Sequence, residues 1–113
     1  MQEPVGGFHG TSTCSIRVKS VHGAGLQVVV GGELDHHTAG TFELVIEECL
    51  AERRPITLDL SGVSFADWCG LDAVLRARRR ASVPINVTAT SPCVDRLLAM
   101  AGHRPLLAER RVG

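Results

Sequence analysis

The sequence predicts a single α/β domain: a mixed sheet of four to five strands with its helices mainly on one face. Three observations carry this reading. The chain's 113 residues suffice for one hydrophobic core and are too few for two. Short β-rich runs alternate with segments whose apolar residues recur at steps of three and four, the pattern of strands joined by helices. The composition, 44% hydrophobic and 21% charged with a formal net charge of zero, is that of a folded globular chain.

Residues 1–13 contain Gly6, Gly7, Gly10, Thr11, Ser12 and Thr13 with little to bury. They read as a flexible leader to a domain spanning 14–113. Residues 16–21 and 26–30 flank His22-Gly23-Ala24-Gly25, two β-rich runs around a glycine turn, and predict a hairpin. Ile16, Val18 and Ser20 alternate with Arg17 and Lys19, as in a strand with one wet face. Residues 26–30 are nearly all apolar, which suits a strand covered on both faces.

A loop over 31–37 leads to a helix over 38–52. Phe42, Val45, Ile46, Cys49 and Leu50 make its apolar stripe, with Glu43, Glu47, Glu48 and Glu52 on the other faces. Arg53 and Arg54 suit the negative end of its dipole, and Pro55 stops it. A strand over 56–60 and a loop over 61–65 precede a helix over 68–81. Leu71, Val74, Leu75 and the stem of Arg78 line its inner face, while Arg76, Arg79 and Arg80 point to water. After a strand over 85–89, Ser91 and Pro92 open a third helix by capping and by a preset φ. Its stripe is Val94, Leu97, Leu98 and Ala101, and Gly102 ends it. Strands joined through helices run parallel, with right-handed crossovers.

Several function classes drop out. No apolar run approaches the roughly 20 residues that span a bilayer, and no secretory signal opens the chain, so a cytoplasmic location is expected. Neutral charge and 4% aromatic residues argue against nucleic-acid and membrane partners. Cys14, Cys49, Cys69 and Cys93 contain no C-x-x-C pair, which argues against a zinc site and a disulfide framework. Asp35-His36-His37 offers ligands, but adjacent imidazoles point apart, so the segment reads as a solvated loop without metal. Cys69 sits in the first turn of a helix, where the dipole favours a thiolate, yet no histidine is placed beside it by any local signature. Cys69 and Cys93 share one sheet edge and read as independent small apolar residues, with a redox-responsive pair the weaker alternative. The arginines at 76 and 78–80 read as a solvated helix face. No catalytic centre assembles and no cofactor is implied, so the chain is not expected to be an enzyme.

What assembles is a surface. Loops that follow parallel strands converge at the strands' C-terminal edge, which here collects residues 35–38, 65–71 and 89–92. Trp68, the sole tryptophan, stands at a helix mouth there, and tryptophan is enriched at interface hot spots.

At this surface the sequence resembles a known family. The run Gly32-Glu33-Leu34-Asp35-His36-His37-Thr38-Ala39 is similar to the signature loop of bacterial anti-sigma factor antagonists, which are single STAS domains. The likeness continues in Leu58-Asp59-Leu60-Ser61-Gly62-Val63-Ser64-Phe65, in Gly70-Leu71 with Val74-Leu75, and in Ser91-Pro92 with Val94, Arg96-Leu97, Met100 and Gly102. It covers residues 15–107 and implies a STAS-like fold. It also implies partner switching. In the family the antagonist binds an anti-sigma factor, which can be a serine kinase of histidine-kinase-like ATPase fold, and so frees a sigma factor. Phosphorylation of one serine at the mouth of the second helix blocks docking by placing a dianion in the contact.

The sequence departs from the family at that serine. Where relatives read Asp-Ser-Ser-Gly-Leu, this chain reads Asp67-Trp68-Cys69-Gly70-Leu71. Trp68 stands at the phosphosite position and has no hydroxyl to phosphorylate. Three consequences compete: constant binding competence, a divergent partner, or control moved to Cys69 by oxidation or to Ser64, expected to be partly buried. The resemblance places Asp35, His36, Thr38, Asp67, Trp68, Cys69, Gly70 and Leu71 at the partner-binding surface. Two readings stand beside it: a STAS scaffold or ligand-sensing module outside any sigma pathway, and a degenerate nucleotide site at the mouth of residues 68–71.

Overall fold

Five strands and three helices follow one another in the computed structural model, which describes residues 7–10, 13–23, 25–103 and 106. They are β1 (Gly7–Gly10), β2 (Cys14–Val21), β3 (Gly25–Leu34), α1 (Ala39–Leu50), β4 (Ile56–Ala66), α2 (Trp68–Arg80), β5 (Ile85–Thr90) and α3 (Pro92–Met100). The sheet order is β1-β2-β3-β4-β5. The β1–β2 and β2–β3 pairs are antiparallel, and β3–β4 and β4–β5 are parallel, as helical crossovers require.

Register explains the one-sided core. Val18, Val28, Leu58 and Val87 form a row across four strands, and all are buried. The next row, Lys19, Gln27, Thr57 and Asn86, projects from the opposite face and is exposed or half-buried. Phe42, Val45, Ile46 and Cys49 of α1, Leu71 and Val74 of α2, and Val94 and Leu98 of α3 join the buried row in a single cluster. All three helices therefore cover one face. The expectation that β3 is covered on both faces is corrected by Val29, which is only half-buried, between Arg17 and Asp59 in the register.

Two further corrections concern strand extent. Residues 7–10, read as part of a leader, pair with β2, Gly7 opposite Val18 and Gly10 opposite Ser15. Main-chain hydrogen bonds need no side-chain pattern, so a Gly-rich tetrapeptide gives no warning of such a strand. The rest of that leader, 1–6 with 11 and 12, lies outside the described residues. Residues 31–34 and 61–66, read as loops or loop borders, continue β3 and β4 past two register shifts, Val29/Gly31 and Gly32/Glu33. Gly32 makes one shift possible. Its φ is +86, and an added Cβ would lie 2.2 Å from the Thr13 carbonyl oxygen, which accepts the Glu33 N–H at 2.8 Å.

The helices carry their own adjustments. Gly70, Leu71, Ala73, Val74 and Ala77 form the buried face of α2; Leu75 and Arg78 are half-buried, so the inner stripe is narrower and richer in small residues than the pattern suggests. Arg76 and Arg80, expected to point to water, reach across to Glu43 and Glu47 of α1. These pairs are solvent-accessible and align the helices more than they stabilise them. Ser91 caps α3, accepting the Val94 N–H at 3.5 Å, with Pro92 following. Ala101, assigned to the α3 stripe, is exposed because the helix has already ended at Met100.

Candidate functional site

The C-terminal ends of β3 and β4 lie side by side, with Leu34 paired to Ala66. The two loops that leave them are stitched together. Asp35 folds onto its own turn, where its Oδ1 accepts the N–H groups of His37 at 2.9 Å and Thr38 at 3.2 Å. Thr38 Oγ1 accepts the Asp35 N–H at 3.0 Å and donates to the Glu33 carbonyl at 2.8 Å. This closed knot leaves Asp35 6% and Thr38 1% exposed.

Asp67 is the hub between the loops. Its Oδ1 caps α2 by accepting the Gly70 N–H at 3.0 Å. Its Oδ2 accepts the His36 N–H at 3.0 Å and lies 2.8 Å from His36 Nδ1, while its own N–H donates to the Leu34 carbonyl at 3.3 Å. Burial works to raise the Asp67 pKa, but the hydrogen bonds from the His36 ring and from the Gly70 and His36 amides prevail and hold it below the usual value. The His36 pKa is raised, first by its hydrogen bond to Asp67. Gly70 lets the helix approach this closely. A Cβ there would lie 2.0 Å from the Leu34 carbonyl oxygen and 2.8 Å from the Asp35 nitrogen.

Trp68 opens α2 with 39% of its surface exposed, and its ring rests against His103 at a centroid distance of 5.3 Å and a tilt of 41°. Phe65 and Met100, 51% and 78% exposed, lie on the same side. With Ala66, Cys93, Arg96 and Leu97 they line a shallow groove of about 230 Å³. Trp68 follows Ala66 by two residues and touches His103, three beyond Met100, so indole and groove adjoin. A larger open cleft, about 780 Å³, runs beside Leu75, Arg78, Arg79 and Asn86 and reaches His103, the histidine that rests on the indole.

The surface expected from the sequence thus divides. His36, Trp68 and Cys69 are exposed and Asp67 is partly so. Asp35 and Thr38 are interior, closed into their own knot. So are Gly70 and Leu71, Leu71 with no exposed surface, because α2 turns that side of its first turn onto the end of β3. The His36 and His37 rings, expected to diverge, lie with centroids 4.0 Å apart, since the turn around Asp35 is not a regular strand or helix. Among the described residues no group of three His, Cys, Asp or Glu is arranged to hold a metal ion. Ser64, expected to be partly buried, is exposed. Phe65 lies within the 65–71 segment expected at this edge, whereas pattern reading missed Leu97, Met100 and His103 as site neighbours. The available signal was Met100, an apolar residue off the α3 stripe.

The cysteines divide in the same way. Cys14 and Cys49 are buried, and burial raises both thiols, Cys49 to about 11. Cys93 donates to the Val63 carbonyl at 3.3 Å, and Cys69 is exposed. A thiol reagent near neutral pH is therefore expected to modify Cys69 first and to reach Cys14 and Cys49 only on unfolding. Mass mapping of partially labelled protein checks this; early labelling of Cys49 would contradict it.

Parallel strands ending in a stitched pair of loops, over a sheet covered on one face, define a STAS/SpoIIAA-like α/β domain. The STAS domain profile matches residues 15–111, and the chain belongs to the STAS domain family. It is 30% identical over 94 residues to an anti-sigma F factor antagonist of Paenibacillus polymyxa, covering 78% of this chain and 80% of the relative. Its fold is similar to that of an anti-sigma factor antagonist from Mycobacterium paratuberculosis, with a TM-score of 0.71, 24% identity and 83% of each chain covered. It is likewise similar to the Bacillus cell fate determinant SpoIIAA in its phosphorylated form, with a TM-score of 0.62, 20% identity, and 83% of this chain and 86% of the other covered. The family's antagonists are regulators rather than enzymes. No helix among the described residues is long and apolar enough to cross a membrane.

Proposed function

We propose that this chain is a cytoplasmic anti-sigma factor antagonist that works by docking, without the serine switch of its relatives. The observation that carries this reading is Trp68, a half-exposed indole at the helix mouth where related loops carry serine. Desolvating this ring together with the exposed apolar side chains of Phe65 and Met100 in the adjoining groove supplies binding energy to a protein partner. The partner class that fits is an anti-sigma factor, including one that is itself a serine kinase. With an indole in place of a hydroxyl, such a kinase has no acceptor at this position, and the docking surface stays competent. A nucleotide at the same mouth is disfavoured, since a phosphate would meet the Asp67 carboxylate, which already occupies the Gly70 amide.

Affinity capture with the full chain, followed by identification of what binds, tests this. A bound anti-sigma factor is the expected result. Incubation of that partner with ATP is expected to leave the native chain unmodified and to phosphorylate the Trp68→Ser variant. Phosphate on the native chain would overturn the loss of the switch; failure of any anti-sigma factor to bind would overturn the docking reading.

A further inference from the structure

We propose that His36 is a pH-responsive positioning residue that ties the loop after β3 to the mouth of α2 through Asp67, and so sets how Trp68 is presented. One carboxylate does the tying. Its Oδ2 takes both the backbone N–H of His36, at 3.0 Å, and the ring Nδ1, at 2.8 Å, while its Oδ1 holds the Gly70 N–H at 3.0 Å. Residues 31 positions apart in the chain are thereby fixed to one another at the cap of the helix that Trp68 opens. The His36 side chain is 60% exposed, so it exchanges its proton with solvent without any opening of the fold.

The groups that face this contact come from three elements. Asp35 and the His37 ring belong to the same loop. Asp67 and Cys69 flank Trp68 at the mouth of α2. His103, from the turn after α3, rests on the indole. Asp67 and Asp35 both favour the imidazolium. Because the His36 pKa is raised, its contribution is complete below the ordinary imidazole value and fades as pH rises through the raised value. Because the Asp67 pKa is lowered, its contribution is complete above the ordinary carboxyl value and is lost only as pH falls through the lowered one. The tie is therefore tightest in a mildly acidic window, roughly pH 5 to 6.5, and slackens through neutrality. A neutral ring can still donate from Nδ1, so the tie loosens rather than breaks.

The test is an NMR titration of the full chain from mildly acidic to alkaline pH, following the His36 ring, the Gly70 amide and the Trp68 indole N–H. The expected result is a shared midpoint for all three, above the ordinary imidazole value of about 6.5. His36→Gln is expected to remove that step from Gly70 and Trp68. Asp67→Asn, which retains a capping oxygen, is expected to return the His36 midpoint toward the ordinary value. His103→Gln controls for the second imidazole beside the indole, and the shared step must survive it. A Gly70 and Trp68 step that persists in His36→Gln, or disappears in His103→Gln, would overturn the proposal.

Its regulatory meaning rests on the docking reading. With the captured anti-sigma factor, affinity is expected to fall roughly two- to fivefold from pH 6 to pH 8 and to change less in His36→Gln. Equal pH profiles for the two proteins would defeat the regulatory role. Absence of any docking partner would instead defeat the docking reading and leave the NMR outcome to decide the tie.

Discussion

Replacing Gly70 with alanine is expected to destabilise the protein by about 3 kcal/mol or more, lowering the melting temperature by roughly 10–15 °C. The added Cβ would sit 2.0 Å from the Leu34 carbonyl oxygen, 2.3 Å from its carbon and 2.8 Å from the Asp35 nitrogen. All three are backbone atoms, so no side chain can rotate out of the way. Relief requires the N-terminus of α2 to lift from the end of β3. That movement stretches the Asp67 N–H to Leu34 carbonyl bond and the His36–Asp67 contact. Gly40 is the control, since a Cβ there meets nothing within 4 Å. Gly40→Ala is expected to be neutral or to stabilise by about 0.5–1 kcal/mol, through helix propensity and reduced freedom of the unfolded chain. Chemical denaturation of both variants measures the contrast. A Gly70→Ala variant as stable as Gly40→Ala would show that the two loops are not packed as described.

How much of this was legible in the chain depends on which interactions leave a pattern. The hairpin, the three helices and the parallel order are written in periodicity and in caps such as Ser91-Pro92, because burial of one face selects residues at fixed spacing. Strand β1 is held by main-chain bonds to β2, and Gly7-Phe8-His9-Gly10 carries no alternation to betray them. The ends of β3 and β4 were hidden for a related reason. Register shifts at Gly31 and Gly32 break the period-2 pattern where the strands enter the site. Within the site, Trp68 and Asp67 stood out by type and by family resemblance. The His36–Asp67 contact joins residues 31 apart and leaves no local signature. Burial of Leu71 beneath the surface follows from how α2 leans on β3, a tertiary fact that proximity in sequence to Trp68 obscured. Burial of Thr38 follows from the knot it closes with Asp35.

Trp68 and Leu71 sit three residues apart, on adjoining turns of α2, and opposite results are expected from truncating them. Leu71 has no exposed surface, and Leu71→Ala is expected to lower stability by about 2–5 kcal/mol through lost burial and a residual cavity. Trp68 is 39% exposed. Its truncation removes the half-buried contact with His103, a smaller loss of about 1–2 kcal/mol. Under the docking reading, however, Trp68→Ala removes the central anchor, and affinity for the anti-sigma factor is expected to fall by about 2 kcal/mol or more, roughly thirtyfold. Denaturation and binding measured on the same two variants separate the roles. A fold residue moves the first quantity and an anchor moves the second. Should Trp68→Ala bind as tightly as the native chain, the indole would be a plug in the helix mouth rather than an anchor. The contact would then have to be carried by the groove between Phe65 and Met100.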